Sequence, residues 1–209
     1  MEQLLTWDTD LLLWINSHHC TVLDWVMWTA SQVWSWAAVV LLIFGLLTLR
    51  REPRRWWIAV LAVILCFLLA DRISVMAFKD VFHRLRPCHV IDNLHMFRTG
   101  CGGQYGFVSS HAANIFAIVT FFIMRYSVSG VAHRCPSCGH SDHPHVKNKF
   151  MHSKLAPILL LLWAIVVCYS RPYLGKHYPG DVLCGAMLGI LIGLLVWWLA
   201  KLLEKKVTK

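Results

Sequence analysis

The sequence predicts an all-α integral membrane protein, a helical bundle of five to six spans with an N-terminal interfacial helix. Of its 209 residues, 57% are hydrophobic and 15% are charged, which is far from the balance of a soluble domain. The apolar residues also come in long blocks rather than in alternation, a pattern typical of helices in lipid. The length suits one domain, so we expect residues 1–209 to form a single membrane domain.

Five apolar runs are candidate spans, and those shorter than the ~20 residues that cross a bilayer core would need polar neighbours at their ends. They are residues 33–49, 58–78, 110–124, 155–169 and 182–199. Residues 1–30 form an amphipathic segment, because LLTWDTDLLLWINSHH mixes apolar and polar positions at helical spacing and is too polar for a signal peptide. The stretch TVLDWVMWTAS either lengthens this helix or packs against the first span as a sixth membrane element.

Basic residues predict the orientation of the bundle. Arg-rich RREPRR joins the first two runs, HVKNKFMHSK precedes the fourth and KLLEKKVTK closes the chain, so these three segments should be cytoplasmic by the positive-inside rule. Residues 79–109 and 170–180 then lie outside. The net charge of +9 does not indicate a nucleic-acid partner, because no single basic face is offered.

Three polar clusters occur at membrane boundaries on the predicted outer side: KDVFHRLRP, FVSSHAAN and SRPYLGKHYPGD. Each alone has a structural explanation, since Lys79 and Arg86 could anchor the helix at the interface and Ser109 could cap a helix. Their candidate site residues, all on one side, are three cations, two histidines, a carboxylate and a serine pair: Lys79, Arg86, Arg171, His111, His177, Asp181, Ser109 and Ser110. Polar groups at such positions indicate a functional site.

The residue types in these clusters indicate a phosphate site. Lys79, Arg86 and Arg171 supply concentrated positive charge, and the N–H groups at Ser109 to His111 open a helix, where anions bind. No Gly-rich Walker loop and no carboxylate cluster for Mg²⁺ accompanies them. Metal-free phosphoryl transfer needs a nucleophile, a group to orient it and an acid, and two histidines with one aspartate fit these roles.

The three clusters resemble the signature motifs of the type 2 phosphatidic acid phosphatase superfamily, with K-x6-R-P, S-x-H and S-R-x5-H-x3-D in the family order. Where the family commonly has Pro-Ser-Gly-His, this chain has Val108, Ser109, Ser110 and His111. A serine side chain at the glycine position leaves less space for the phosphate to come close to the backbone.

The resemblance implies a role for each matching residue. His177 attacks phosphorus to form a phosphohistidine, Asp181 orients its imidazole, and His111 protonates the leaving oxygen. The phosphoryl oxygens are held by Lys79, Arg86, Ser109, Ser110 and Arg171. No cofactor is expected for catalysis.

The expected activity is metal-independent dephosphorylation of a membrane lipid phosphate or diphosphate at the outer face of a bacterial inner membrane, facing the periplasm. Undecaprenyl diphosphate and lipid A phosphates are the first candidates, ahead of phosphatidylglycerophosphate and phosphatidic acid. The alternative is a non-hydrolytic lipid-phosphate binding or transport protein that keeps the anion site. The partners expected are the lipid substrate and the bilayer, while the oligomeric state is left open.

The eight cysteines divide by side of the membrane. Cys88 and Cys101 lie in the loop predicted to be outside, where an oxidising compartment would favour a disulfide between them. The alternative is two free thiols. A polar Cys/His-rich cytoplasmic insert, residues 128–153, contains HRCPSCGHSDHPH. Cys135 and Cys138, with His140 and His143, are candidate ligands of a structural zinc ion, and the alternative is a flexible polar loop.

Overall fold

The computed structural model describes residues 2–43, 45, 56–98, 100–125 and 155–207, and within them it contains seven α-helices and no strand. They are α1 Glu2–Ser17, α2 Thr21–Ser31, α3 Val33–Ile43, α4 Trp56–Ile73, α5 Ser110–Ile123, α6 Leu155–Tyr173 and α7 Pro179–Val207. A π-helical turn, Ser74–Lys79, and a short turn, Asp80–Phe82, extend α4. The prediction of an all-α membrane bundle is confirmed.

Each of the five predicted apolar runs contains a helix, but the helices differ in how well they suit a span. Three are long and apolar enough to cross a bilayer: Trp56–Phe82, Ala156–Tyr173 and Pro179–Val207. A fourth candidate joins α2 to α3 through a bend of 66°, so TVLDWVMWTAS is a separate helix rather than an extension of α1. The remaining helix, α5, has 14 residues.

The centre of the bundle is formed by α5 and α7, whose contact is the most extensive between any two described helices. Three glycines at intervals of four residues, Gly185, Gly189 and Gly193, allow this approach. A Cβ added to Gly189 would lie 2.4 Å from the carbonyl oxygen of Ala113. Small residues repeated at this spacing let two helix backbones come close in a membrane, where dispersion contacts drive helix association.

Apolar residues of α3 to α7 fill the interior, including Ile58, Cys66, Ile115, Phe121 and Val167. Large apolar side chains on the outer surfaces of these helices, such as Leu61, Leu162 and Leu191, are exposed and would face lipid. A second, smaller cluster at the end of the bundle that carries the polar clusters contains Ile15, Met27, Tyr173 and Leu174. It connects α1 and α2 to the end of α6, next to the polar clusters.

Candidate active site

The first polar cluster lies at the end of α4, within its π-helical turn. Lys79 is the last residue of this turn, and its Nζ donates a hydrogen bond of 2.7 Å to Ser110 Oγ at the start of α5. The same hydroxyl lies 2.6 Å from Ser74 Oγ. The Lys79 ammonium also interacts electrostatically with Arg86 and Arg171. Residues from all three predicted motifs therefore converge here.

Arg86 lies in the loop between α4 and α5, where backbone carbonyls hold its side chain. Its Nε donates to Tyr105 O at 3.3 Å and its Nη1 donates to Cys101 O at 3.2 Å. Cys101 is joined to Cys88 by a disulfide, with the Cα atoms 5.7 Å apart, so the disulfide alternative holds. Burial lowers the pKa of the Arg86 guanidinium, but this group remains charged at physiological pH.

Gly106 brings the loop between α4 and α5 onto the site. Its N–H donates to Arg84 O at 2.8 Å, and an added Cβ would lie 3.1 Å from Asp181 Oδ2 and 3.2 Å from Arg86 Cγ. A larger residue would therefore displace one of two functional groups. Sequence reasoning missed Gly106. Its position three residues before Ser109 was the feature of the sequence that could have identified it.

The start of α5 carries the second cluster. Ser109 precedes the helix and is fully buried, its N–H donates to Asp181 O at 3.0 Å, and its Oγ has no hydrogen-bond partner among the described residues. His111 lies in the first turn, with its ring centroid 5.4 Å from that of Trp36. It interacts electrostatically with Arg171 and His177. A helix N-terminus beside these cations is suited to an anion.

The third cluster begins at the end of α6 and continues through the turn to α7. Arg171 is 3% exposed, its Nη1 donates to Ser31 Oγ, and its Nε has no partner within the described part of the chain. The Lys176 N–H donates to Arg171 O at 3.0 Å and closes the turn. Burial, together with the charges of Arg171 and Arg86, lowers the pKa of the Lys176 ammonium to about 8.

His177 and Asp181 lie next to each other, because Pro179 begins α7 and places Asp181 in its first turn. His177 is 2% exposed and Asp181 is fully buried. Burial and the charges of Arg171, Arg86 and Lys79 hold the pKa of His177 well below its usual range, although a hydrogen bond with the Gly106 backbone opposes this. The imidazole is therefore neutral at pH 7, as a nucleophile must be.

The expected hydrogen bond between this pair is longer than a direct bond. His177 Nδ1 lies 3.6 Å from Asp181 Oδ2, and that oxygen accepts the Tyr178 N–H at 3.1 Å. The other carboxylate oxygen accepts Arg84 Nη1 at 2.7 Å. Both oxygens already have donors, so the aspartate reaches the imidazole only after a small ring movement.

Arg84 and Asp8 are two further residues that sequence reasoning missed. Arg84 Nη2 donates to Asp8 Oδ2 at 2.7 Å, and the Gly180 N–H donates to Asp8 Oδ1 at 2.7 Å. Arg84 also lies over the Tyr178 ring, 4.0 Å from its centroid. Asp8 of α1 thereby connects the N-terminal helix to the carboxylate beside His177. Arg84 occupies a variable position of K-x6-R-P, and Asp8 lies outside every motif.

The structure brings all eight predicted site residues to one end of the bundle. They are Lys79, Arg86, Ser109, Ser110, His111, Arg171, His177 and Asp181. The predicted zinc ligands Cys135, Cys138, His140 and His143 lie outside the described residues, as does the whole of the insert 128–153.

Comparisons with known proteins point to one family. The model of the PAP2 superfamily matches residues 60–204. The lipid A 4'-phosphatase of Porphyromonas gingivalis is 27% identical to this chain and covers 94% of it and 74% of its own length. The lipid A 4'-phosphatase of Bacteroides thetaiotaomicron is 28% identical, over 96% of this chain and 80% of that protein.

A solved structure supports the fold. The crystal structure of the first transmembrane PAP2 type phosphatidylglycerolphosphate phosphatase from Bacillus subtilis superposes with a TM-score of 0.66, over 99% of this chain and 89% of that one, at 18% identity. The family match spans more than half of the chain and includes every predicted site residue. The chain belongs to the PAP2 superfamily.

Proposed function

We propose that this protein removes phosphate from lipid A at the periplasmic face of a bacterial inner membrane. The observation that carries the proposal is the similarity to two lipid A 4'-phosphatases over 94% and 96% of this chain. The convergence of cations and histidines at one end of an apolar bundle supports it, because a lipid phosphate is presented at the membrane surface while its acyl chains stay in the bilayer.

In the first step, His177 forms a nitrogen–phosphorus bond while the bond from phosphorus to the lipid oxygen breaks. His111 donates a proton to that departing oxygen. After a small ring movement, Asp181 accepts a hydrogen bond from the Nδ1–H of His177, which leaves the other ring nitrogen free to attack and stabilises the charge that develops. In the second step, a water oxygen attacks phosphorus while His111 takes a proton from that water. The nitrogen–phosphorus bond to His177 breaks, and phosphate leaves.

The cations and the helix terminus hold the phosphoryl oxygens during both steps. Arg171 has an unpartnered Nε among the described residues, and Ser109 has an unpartnered hydroxyl. Buried polar groups without partners are costly, so a ligand that satisfies them gains affinity. Charge developing on the transferred group is stabilised mainly by such preorganised donors.

The reaction proceeds without a metal ion. Both oxygens of Asp181 face N–H donors rather than an open coordination position. The groups that surround the phosphate are cations, which would repel Mg²⁺. Excess EDTA should therefore leave turnover intact when the assay temperature is well below the melting temperature of the protein. Vanadate, which mimics five-coordinate phosphorus, should inhibit turnover. An obligatory Mg²⁺ requirement would contradict the histidine mechanism.

The experiment that tests the proposal compares four lipids with the purified protein in detergent: lipid A, undecaprenyl diphosphate, phosphatidylglycerophosphate and phosphatidic acid. We expect lipid A to release phosphate fastest, and mass spectrometry should locate the loss at the 4'-position. His177→Ala should release none. Faster hydrolysis of another lipid would reject lipid A as the substrate and retain the phosphatase. No release from any lipid would favour the binding or transport alternative.

A further inference from the structure

A second cluster of polar side chains lies at the outer end of the bundle, where α1, α2 and the outer loop meet. It consists of His19, between α1 and α2, Asp24 in the first turn of α2, and His95 in the outer loop. One nitrogen from each histidine and one carboxylate oxygen all lie within 4.8 Å of one another. None of the three has a part in the phosphatase mechanism.

The carboxylate of the cluster is held in place from several sides. Asp24 is buried, and its Oδ1 lies 2.7 Å from His95 Nε2 and accepts the Tyr173 hydroxyl at 2.8 Å. His95 is fixed through its backbone, because Asn16 accepts its N–H at 2.8 Å and donates to its carbonyl at 2.9 Å. Two of the three side chains are therefore preorganised.

His19 is the member that hydrogen bonding does not explain. Its ring stacks on that of His95, with centroids 3.7 Å apart and planes within 2° of parallel. The side chain is exposed, and no hydrogen bond of its ring occurs among the described residues. Stacking brings its ring nitrogens to the nitrogen edge of His95 and the Asp24 carboxylate, where a shared cation would bind all three.

We propose that His19, Asp24 and His95 bind a divalent transition-metal ion, with zinc favoured by the ligand set. Two imidazoles and one carboxylate are ligands that zinc accepts, with water in the fourth position. Zinc ligands about 2.0–2.2 Å from the ion are about 3.3 Å apart along a tetrahedral edge, so the three ligand atoms, now within 4.8 Å of one another, would move closer together. Binding would also replace the Asp24–His95 hydrogen bond and turn the His19 ring out of its stack on His95, so that both imidazole lone pairs point at the ion. The Tyr173 hydroxyl, bonded to the carboxylate, orients that ligand.

The ion would stabilise the outer part of the protein. It connects the α1–α2 junction and the outer loop to Tyr173, the last residue of α6, after which the chain turns towards His177. A cross-link at this point restrains three segments that are far apart in the sequence. The expected effect is therefore on stability rather than on the chemical step.

The test measures zinc binding by the full chain in detergent, carrying a tag without histidine. The background is Cys135→Ser with Cys138→Ser, which removes the other candidate zinc site. Calorimetric titration should give one Zn²⁺ per chain, and Co²⁺ should show the absorption bands of a tetrahedral site. Zn²⁺ should also raise the melting temperature as its concentration rises.

His19→Ala decides the question, because its stack on His95 contributes to stability whether or not a zinc site exists, whereas only the metal hypothesis makes its effect depend on zinc. It should raise the zinc Kd by at least about tenfold and abolish the rise in melting temperature. Its melting temperature without zinc should fall only slightly, through loss of the stack on His95, which shows that the fold is intact. The matched control, His18→Ala, removes the adjacent exposed histidine and should bind zinc as the background does.

Two results would overturn the proposal. One is the absence of saturable Zn²⁺ binding in the background protein. The other is an unchanged zinc Kd in His19→Ala, which would leave Asp24 and His95 as a hydrogen-bonded pair. Neither result depends on phosphatase activity, so the proposed function stands or fails separately.

Discussion

The two histidines at the site have different surroundings, and their proposed roles predict different kinetic defects. His177 is buried beside Asp181, with a pKa well below its usual range, and suits attack on phosphorus. His111 lies in the first turn of α5 next to Trp36 and suits proton transfer to the leaving group. The defect of each variant should therefore depend on the leaving group in a different way.

His111→Ala should lose far more activity on a lipid monophosphate than on p-nitrophenyl phosphate. A lipid alkoxide needs a proton as it departs, an effect worth ~10²–10⁴-fold in rate, whereas a stabilised phenolate needs it much less. His177→Ala should lose all turnover and all covalent labelling by a substrate with radioactive phosphate. Steady-state rates on both substrates check this, and equal losses in the two variants would show the roles to be wrong.

Lys176 predicts an alkaline limit to activity. Its pKa is lowered to about 8, chiefly by burial, so the side chain is charged below pH 8 and neutral above it. If this ammonium contacts the phosphate, kcat/KM should fall through pH 8 by about tenfold or more, because a hydrogen bond to a charged group contributes ~1.5–3 kcal/mol. A pH profile of kcat/KM reports this titration in the free enzyme.

Two variants assign that limit to Lys176. Lys176→Arg keeps its charge at every accessible pH, so the fall should move upward by at least one pH unit. Lys176→Met has no charge to lose, so its kcat/KM should be low throughout and lack the step near pH 8. A step that persists in both variants would belong to another group.

At the scale of elements, the N-terminal helix is coupled to the site through Asp8. This residue binds Arg84 and the Gly180 N–H at the same time, and Arg84 binds Asp181. In Asp8→Asn, Arg84 would keep Asp181 as a carboxylate partner but lose Asp8. The guanidinium would then withdraw more charge from Asp181, which would become a weaker hydrogen-bond acceptor for His177 Nδ1–H. We expect kcat to fall about tenfold, or ~1.4 kcal/mol, with KM little changed.

We assign the expected fall in kcat to the loss of the Asp8 charge and not to a disturbance of α1. Asp8→Glu should therefore recover part of kcat, and Asp10→Asn, an exposed position on the same helix, should have full activity. A rise in KM with normal kcat in Asp8→Asn would indicate a role in substrate binding instead.

The contact between α5 and α7 predicts a stability effect without a polar group. Gly189→Ala would place a Cβ 2.4 Å from Ala113 O and 2.9 Å from Phe116 Cβ, so the two helices must separate. Overpacking of this kind costs ~1–3 kcal/mol, which thermal unfolding in detergent would detect as a lower melting temperature. Leu191→Ala, at an exposed position of α7, should change the melting temperature much less.

At the scale of the whole molecule, local patterns predicted the helices and motif spacing predicted the eight site residues. Both signals extend over short stretches of chain. Asp8 could not be found this way, because its contact with Gly180 joins positions 172 residues apart. The bend after α2 was also missed. The sequence is largely apolar on both sides of Gln32, so the pattern alone does not show that the helix ends there. Contacts between distant segments depend on packing that no local pattern contains.

The orientation of the whole molecule predicts which native cysteines react from outside the cell. Cys20 is exposed at the α1–α2 junction and its N–H donates to the Tyr173 hydroxyl, so it lies at the end of the bundle that carries the site. Cys184 is partly exposed, so the test uses a Cys184→Ser background. There, an impermeant maleimide should label Cys20 in spheroplasts, and Cys20→Ser should remove the signal, because Cys66 and Cys168 are buried and Cys88 is joined to Cys101. After permeabilisation in the presence of a chelator, Cys135 and Cys138 of the predicted cytoplasmic insert should react as well. Labelling of Cys135 in intact spheroplasts would place the basic segments outside and the phosphate site inside, contrary to the positive-inside rule and to a periplasmic lipid substrate.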